Sequence, residues 1–174
     1  MELHSLKYPI GQFIKPNHVT DDDLERCIQT ISTFPVEVNN LLKSCLVEDL
    51  KKKYRPEGWT INQLIHHCAD SHMNAFIRFK LALTEDCPTI KPYIENLWAE
   101  LPDTLEVDPA VSVQILKGIH SRWAVLLQGL KPVLFEKEYI HPEHGERFNL
   151  AQVLSMYDWH CRHHLAHIKL AINS

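Results

Sequence analysis

Four stretches of the chain open on a helix-capping signature and continue with apolar residues at helical spacing, which leaves little room for any fold but a helical one. Thr20 and Asp23 have the spacing of a capping box, and three aspartates fill the first turn, where the helix dipole favours negative charge. Leu24, Ile28, Ile31, Val38, Leu41, Leu42 and Cys45 then predict a helix from about Thr20 to Cys45. Pro35 interrupts it and predicts a kink or a short break, because proline lacks an N–H and crowds the preceding turn.

A second helix is predicted from Thr60 to Thr84, with Ile61, Leu64, Ile65, Cys68, Phe76, Phe79, Ala82 and Leu83 as its apolar stripe. The third begins at Asp108-Pro109, a cap followed by proline at the first helical position. Its buried face is Ile115, Leu116, Ile119, Trp123, Leu126, Leu127 and Leu130. The fourth starts at Asn149, with Gln152 three residues on, and runs to Ile172 along Leu150, Leu154, Tyr157, Cys161, Leu165 and Ile168. A short link makes the first two helices antiparallel. The long connector EDCPTIKPYIENLWAELPDTLEVD crosses an end of the bundle, and FEKEYIHPEHGERFNL predicts an irregular loop or small hairpin. The expectation is an all-α four-helix bundle with one crossover between helices two and three, a single domain over residues 1–174.

Net charge is −4, with no basic stripe, so no nucleic-acid partner is expected. The apolar runs are too short to span a bilayer, and no charged leader precedes an apolar segment, so neither a membrane nor a signal peptide is expected. The five cysteines are scattered without a C-x-x-C pair, which predicts reduced thiols and a cytoplasmic protein. Cys161 points into the core by periodicity and is expected to be buried and inert.

The last helix carries DWHCRHHLAH. His164 lies about 55° from the centre of the apolar stripe, His160 about 95°, His167 about 115° and His163 about 155°. His160 and His164 therefore face the edge of the core, and His163 is expected to face water. His160 and His164 also stand at i, i+4, so both rings can reach one ion. A third ligand must come from elsewhere. The second helix offers His66, His67 and His72 in HHCADSH. His66 and His67 lie about 130° from its apolar centre on opposite sides, and His72 points at that centre, as a core histidine or a ligand. His141 and His144 are further candidates on a loop. Periodicity does not choose among them. Asp158 and Asp70 sit beside these turns, each an exposed helix acid or a partner for an imidazole N–H. Ser71 and Asn74 share His67's side.

The strings WTINQLIHHCADSHMNAFIRFKLALTED, PTIKPY, LWAELPD, WHCRHHLAHI and YPIGQF resemble the DinB superfamily, and within it the YfiT branch of metal-dependent hydrolases related to bacillithiol S-transferases. The resemblance runs from Tyr8 to Ile168. It implies an up-down-down-up bundle, a homodimer and a nickel or zinc ion held by three histidines. In that family a tryptophan is followed eight residues later by the helix-two ligand. Counted from Trp59, this is His67, and the helix-four pair maps to His160 and His164. The implied activity is hydrolysis of a small molecule by metal-bound water, or transfer to a low-molecular-weight thiol held as thiolate. A non-catalytic bundle that binds metal or a thiol is the alternative. No H-E-x-x-H, phosphate loop or nucleophile elbow is present.

Overall fold

A computed structural model describes residues 2–143 and 145–174. Four long helices dominate it: α2 (Asp21–Ser44), α3 (Ile61–Thr84), α6 (Pro109–Gln128) and α7 (Leu150–Ile172). Three short ones, α1 (Leu3–Lys7), α4 (Glu95–Trp98) and α5 (Pro102–Glu106), lie between and before them. A hairpin of β1 (Glu138–His141) and β2 (Glu146–Asn149) precedes α7, pairing Tyr139 with Phe148.

The helices begin where the caps put them. Thr20 Oγ1 accepts from the Asp23 N–H while Asp23 accepts from the Thr20 N–H. Thr60 with Gln63 and Asn149 with Gln152 repeat the exchange, and Asp108 accepts from the Ala110 N–H. Each exchange satisfies backbone donors that a helix start otherwise leaves open.

Hydrogen bonds between helices fix their directions. His66 meets Ser112 and His72 meets His120, so α3 and α6 are parallel. Ser71 meets Tyr157 and His67 meets His160, so α3 and α7 are antiparallel. His120 reaches the Ile31 carbonyl and Lys117 reaches Asn39, so α2 and α6 are antiparallel. The bundle is therefore up-down-down-up. Helices α2 and α3 are antiparallel, as their short link requires, yet they are diagonal partners: each packs on α6 and α7. Phe34, Phe79, Trp123 and Leu154, one from each long helix, are fully buried at the centre. Ile115, expected in that core, is 39% exposed.

Helix α2 runs through Pro35 without a break, one of the two outcomes the proline allowed. The proline leaves the Ile31 carbonyl without its helical donor, and the His120 ring supplies one. The crossover folds back over α3, where Gln63 and Asn62 donate to the carbonyls of Ala99 and Thr104. It also bonds to the hairpin through Ile90 and Ile140. No helix among the described residues is long and apolar enough to cross a membrane.

Candidate metal centre

His67 on α3 and His160 and His164 on α7 bring ring nitrogens within 4.8 Å of one another. The α7 pair meets because i and i+4 stack on one helix face, and the antiparallel packing of α3 sets His67 opposite them. His67 Nε2 lies 3.3 Å from His160 Nε2. Two imidazole nitrogens bound tetrahedrally at about 2.0–2.1 Å to one zinc-like ion sit about 3.3–3.4 Å apart, so the spacing fits a shared ion. His164 Nδ1 is buried without a hydrogen-bond partner among the described residues. The donor set suits a borderline metal, because neutral imidazole is a ligand and imidazolium is not. Burial keeps the rings neutral: it lowers His67 to about 4 and holds His160 and His164 well below the ordinary imidazole value.

The other candidates go elsewhere. His66 turns toward α6, where it accepts from the Ser112 hydroxyl at 2.7 Å and donates to the Val107 carbonyl at 3.0 Å. His72 is a core histidine between His120 and His160. His141 lines the cavity described below, on its β1 wall. His144 lies outside the described residues.

His163, expected in water, is 7% exposed. Its ring stacks on Trp159 with centroids 4.3 Å apart and lies near Tyr8 from the N-terminal segment. His167 donates to the Lys7 carbonyl at 3.1 Å and stacks under Tyr54. Burial lowers His163 to about 3 and His167 to about 4. His163, His164 and His167 form a second trio of neighbouring nitrogens. All three come from one helix, and His167 is spent on Lys7 and is not part of the cavity wall. The trio that joins two helices and opens on the cavity is the first.

That cavity is about 440 Å³, within the range of small-molecule sites. Phe13, Trp59, Tyr139, Phe148 and Met156 form its apolar wall, with Trp59 against His67. Ser71 lines it, and Asn74 does not. Arg78 stands on the same face of α3 as His67, three turns along. It is 9% exposed, donates to the Lys91 carbonyl at 2.9 Å, and has no ion-pair partner among the described residues. No pattern in the chain singles it out, because a charged residue amid an apolar stripe reads as a stray surface group. Glu95 is the sole acid among the described lining residues, and it is exposed.

Asp158 is neither an exposed acid nor an imidazole partner. It is buried, accepts from Thr30 on α2 at 2.6 Å and pairs with Arg162 at 2.6 Å. Asp70 is half-buried, and burial followed by the charge of Asp103 raises it to about 6. Cys161 is buried, and its thiol is pushed well above its usual value.

Residues 31–168 match the DinB superfamily. A Bacillus mycoides protein named "Putative metal-dependent hydrolase" is 48% identical over 167 residues, covering 95% of each chain, and a Bacillus cereus protein of the same name is equally similar. A solved structure of YfiT from Bacillus subtilis, described as "a probable metal-dependent hydrolase with an unusual four-helix bundle topology", superposes with a TM-score of 0.93 at 38% identity, covering 96% of this chain and 95% of that one.

Proposed function

The chain belongs to the DinB superfamily, and from that premise we propose that it is a metal-dependent enzyme acting on small molecules, with His67, His160 and His164 as the metal ligands. One observation carries the reading: three imidazoles from two helices, His164 buried and His67 and His160 half-buried, converge on the wall of a cavity of ligand size. Its relatives' names point to hydrolysis. Zinc and nickel both suit three imidazoles.

A metal held there supplies Lewis acidity and lowers the pKa of a bound water or thiol. The chain does the rest. Trp59 packs on His67 with ring centroids 4.6 Å apart and covers that side of the ligand. Arg78 offers an anchor for a carboxylate or phosphate on the substrate, since a buried guanidinium without a counter-charge gains from an anion.

Transfer to a low-molecular-weight thiol is the second reading. It draws on the lining, which among the described residues sets no buried carboxylate beside the histidines to act as a base toward water. A metal-held thiolate needs none once formed. The same proposal includes a cytoplasmic location and a homodimer, the latter checked by sedimentation.

The test is the metal content of protein purified without a histidine tag, followed by ester, amide and thiol-conjugation panels with and without chelator. One zinc or nickel per chain and chelator-sensitive turnover are expected. Metal-free protein with chelator-insensitive activity overturns the reading.

A further inference from the structure

Each long helix contributes one group to a single hydrogen-bonded row that ends at the candidate metal centre. The Ile31 carbonyl of α2 meets Nδ1 of His120 on α6. Nε2 of His120 lies 2.7 Å from Nδ1 of His72 on α3. Nε2 of His72 lies 3.0 Å from Nδ1 of His160 on α7. Nε2 of His160 then faces His67.

A bond between two imidazoles does not reveal which nitrogen carries the proton, but the far end of this row does. A carbonyl only accepts, so His120 carries its proton on Nδ1. A neutral imidazole has one N–H, so Nε2 of His120 is bare and must accept from Nδ1 of His72. By the same step Nε2 of His72 is bare and accepts from Nδ1 of His160. His160 is left with a bare Nε2, the nitrogen turned toward His67. His120 and His72 are fully enclosed and His160 is half-buried, and a dry surrounding disfavours the charged form that would break the alternation. The carbonyl is available because Pro35, four residues after Ile31, has no N–H to give it.

We propose that His120 and His72 are positioning residues that set the tautomer of His160, so that its Nε2 lone pair is presented to the metal centre. This rests on the reading of His160 as a ligand. Metal-binding histidines usually gain their fixed tautomer from one carboxylate or carbonyl beside the ring. Here the carbonyl stands two imidazoles away, and the rings transmit its polarity across the bundle.

The test begins with metal-free protein labelled with 15N at histidine, in which long-range proton–nitrogen correlations report each tautomer. His120, His72 and His160 are expected in the Nδ1–H form, against the Nε2–H form that free imidazole side chains favour. Two substitutions follow. His120→Leu removes donor and acceptor together. His120→Gln keeps an N–H for Ile31 and an oxygen for His72. In His120→Leu the His160 signal is expected to move toward the Nε2–H form, and zinc affinity, measured by competition with a chromogenic chelator, to fall about 10- to 100-fold. In His120→Gln both are expected to stay near wild type. A packing role alone would spare the leucine variant's tautomer and affinity. Should metal-free wild type show His160 as Nε2–H, or should the leucine variant keep both signal and affinity, the relay is wrong while the metal centre stands. Should His160→Ala bind zinc as tightly as wild type, the ligand assignment is wrong, and the tautomers are still read directly. If the leucine variant does not fold, wild type and His120→Gln decide: loss of the Nδ1–H pattern in the glutamine variant counts against the relay.

Discussion

Trp159 donates its indole N–H to the carbonyl of Gly11 at 3.0 Å, and so ties the N-terminal segment across the histidine face of α7. Gly11 sits at φ +81°, a left-handed conformation that side chains with a Cβ resist. An added Cβ would meet nothing within 4 Å, so the cost of substitution is that of the backbone alone. Gly11→Ala is expected to destabilise the protein by about 1–2 kcal/mol, which at this chain length lowers Tm by about 2–8 °C. Loosening the strap should also let water reach His163 and His167 and move their pKa values up toward the ordinary range. Thermal unfolding and histidine titration by NMR check both.

The two histidine trios make opposite predictions about metal. His67→Ala and His160→Ala are expected to lose bound zinc or nickel, and His163→Ala, outside the first trio, to keep it. A ligand present at about 100 times its Kd stabilises a fold by about 2.7 kcal/mol. The wild type should therefore gain about 5–11 °C in Tm on zinc addition, and the first two variants should gain nothing. Retained metal in His67→Ala with loss in His163→Ala would move the site to the second trio.

Acid should unfold this protein early. Burial is the largest cause lowering His67, His72, His120, His160, His163, His164 and His167 in the folded state. Their unfolded value is 6.5, and in the fold His67, His120 and His167 drop to about 4 and His163 to about 3. Below pH 6.5 the unfolded chain therefore binds protons that the folded chain does not, and stability falls with pH until the folded rings titrate near 4. Each such group contributes about 1.4 kcal/mol per pH unit, so two of them alone cost about 3 kcal/mol per unit. Chemical denaturation at pH 7, 6 and 5 in the metal-free protein is expected to show a monotonic fall. A flat profile would mean that these rings are open to solvent.

Arg78 predicts selectivity for anions. A hydrogen bond to a charged group contributes about 1.5–3 kcal/mol, so Arg78→Gln is expected to lower kcat/KM for carboxylate-bearing substrates by about 10- to 100-fold, mainly through KM. Neutral substrates of the same size should be little affected. Equal losses on both classes would assign Arg78 to the fold alone.

The helix starts were legible in the sequence because capping is local: Thr60 needs only Gln63, and Asn149 only Gln152. The pairing of His160 with His164 was legible for the same reason, since i, i+4 neighbours share a face whatever surrounds them. What lies across from a face is not encoded in its angle. His66 and His67 are one residue apart and equally far from the apolar stripe, yet α6 claims one through Ser112 and α7 sets the other against His160. His163 is dry because a segment about 150 residues earlier in the chain covers it. His72 and His120, 48 residues apart, share a proton because α3 and α6 run parallel. Sequence by itself determined the helices, their ends and which turn holds a histidine pair, all through interactions reaching one or two turns. Tertiary packing alone decided which ring meets which, because those contacts form only when separate helices desolvate each other and most buried polar atoms must find a partner.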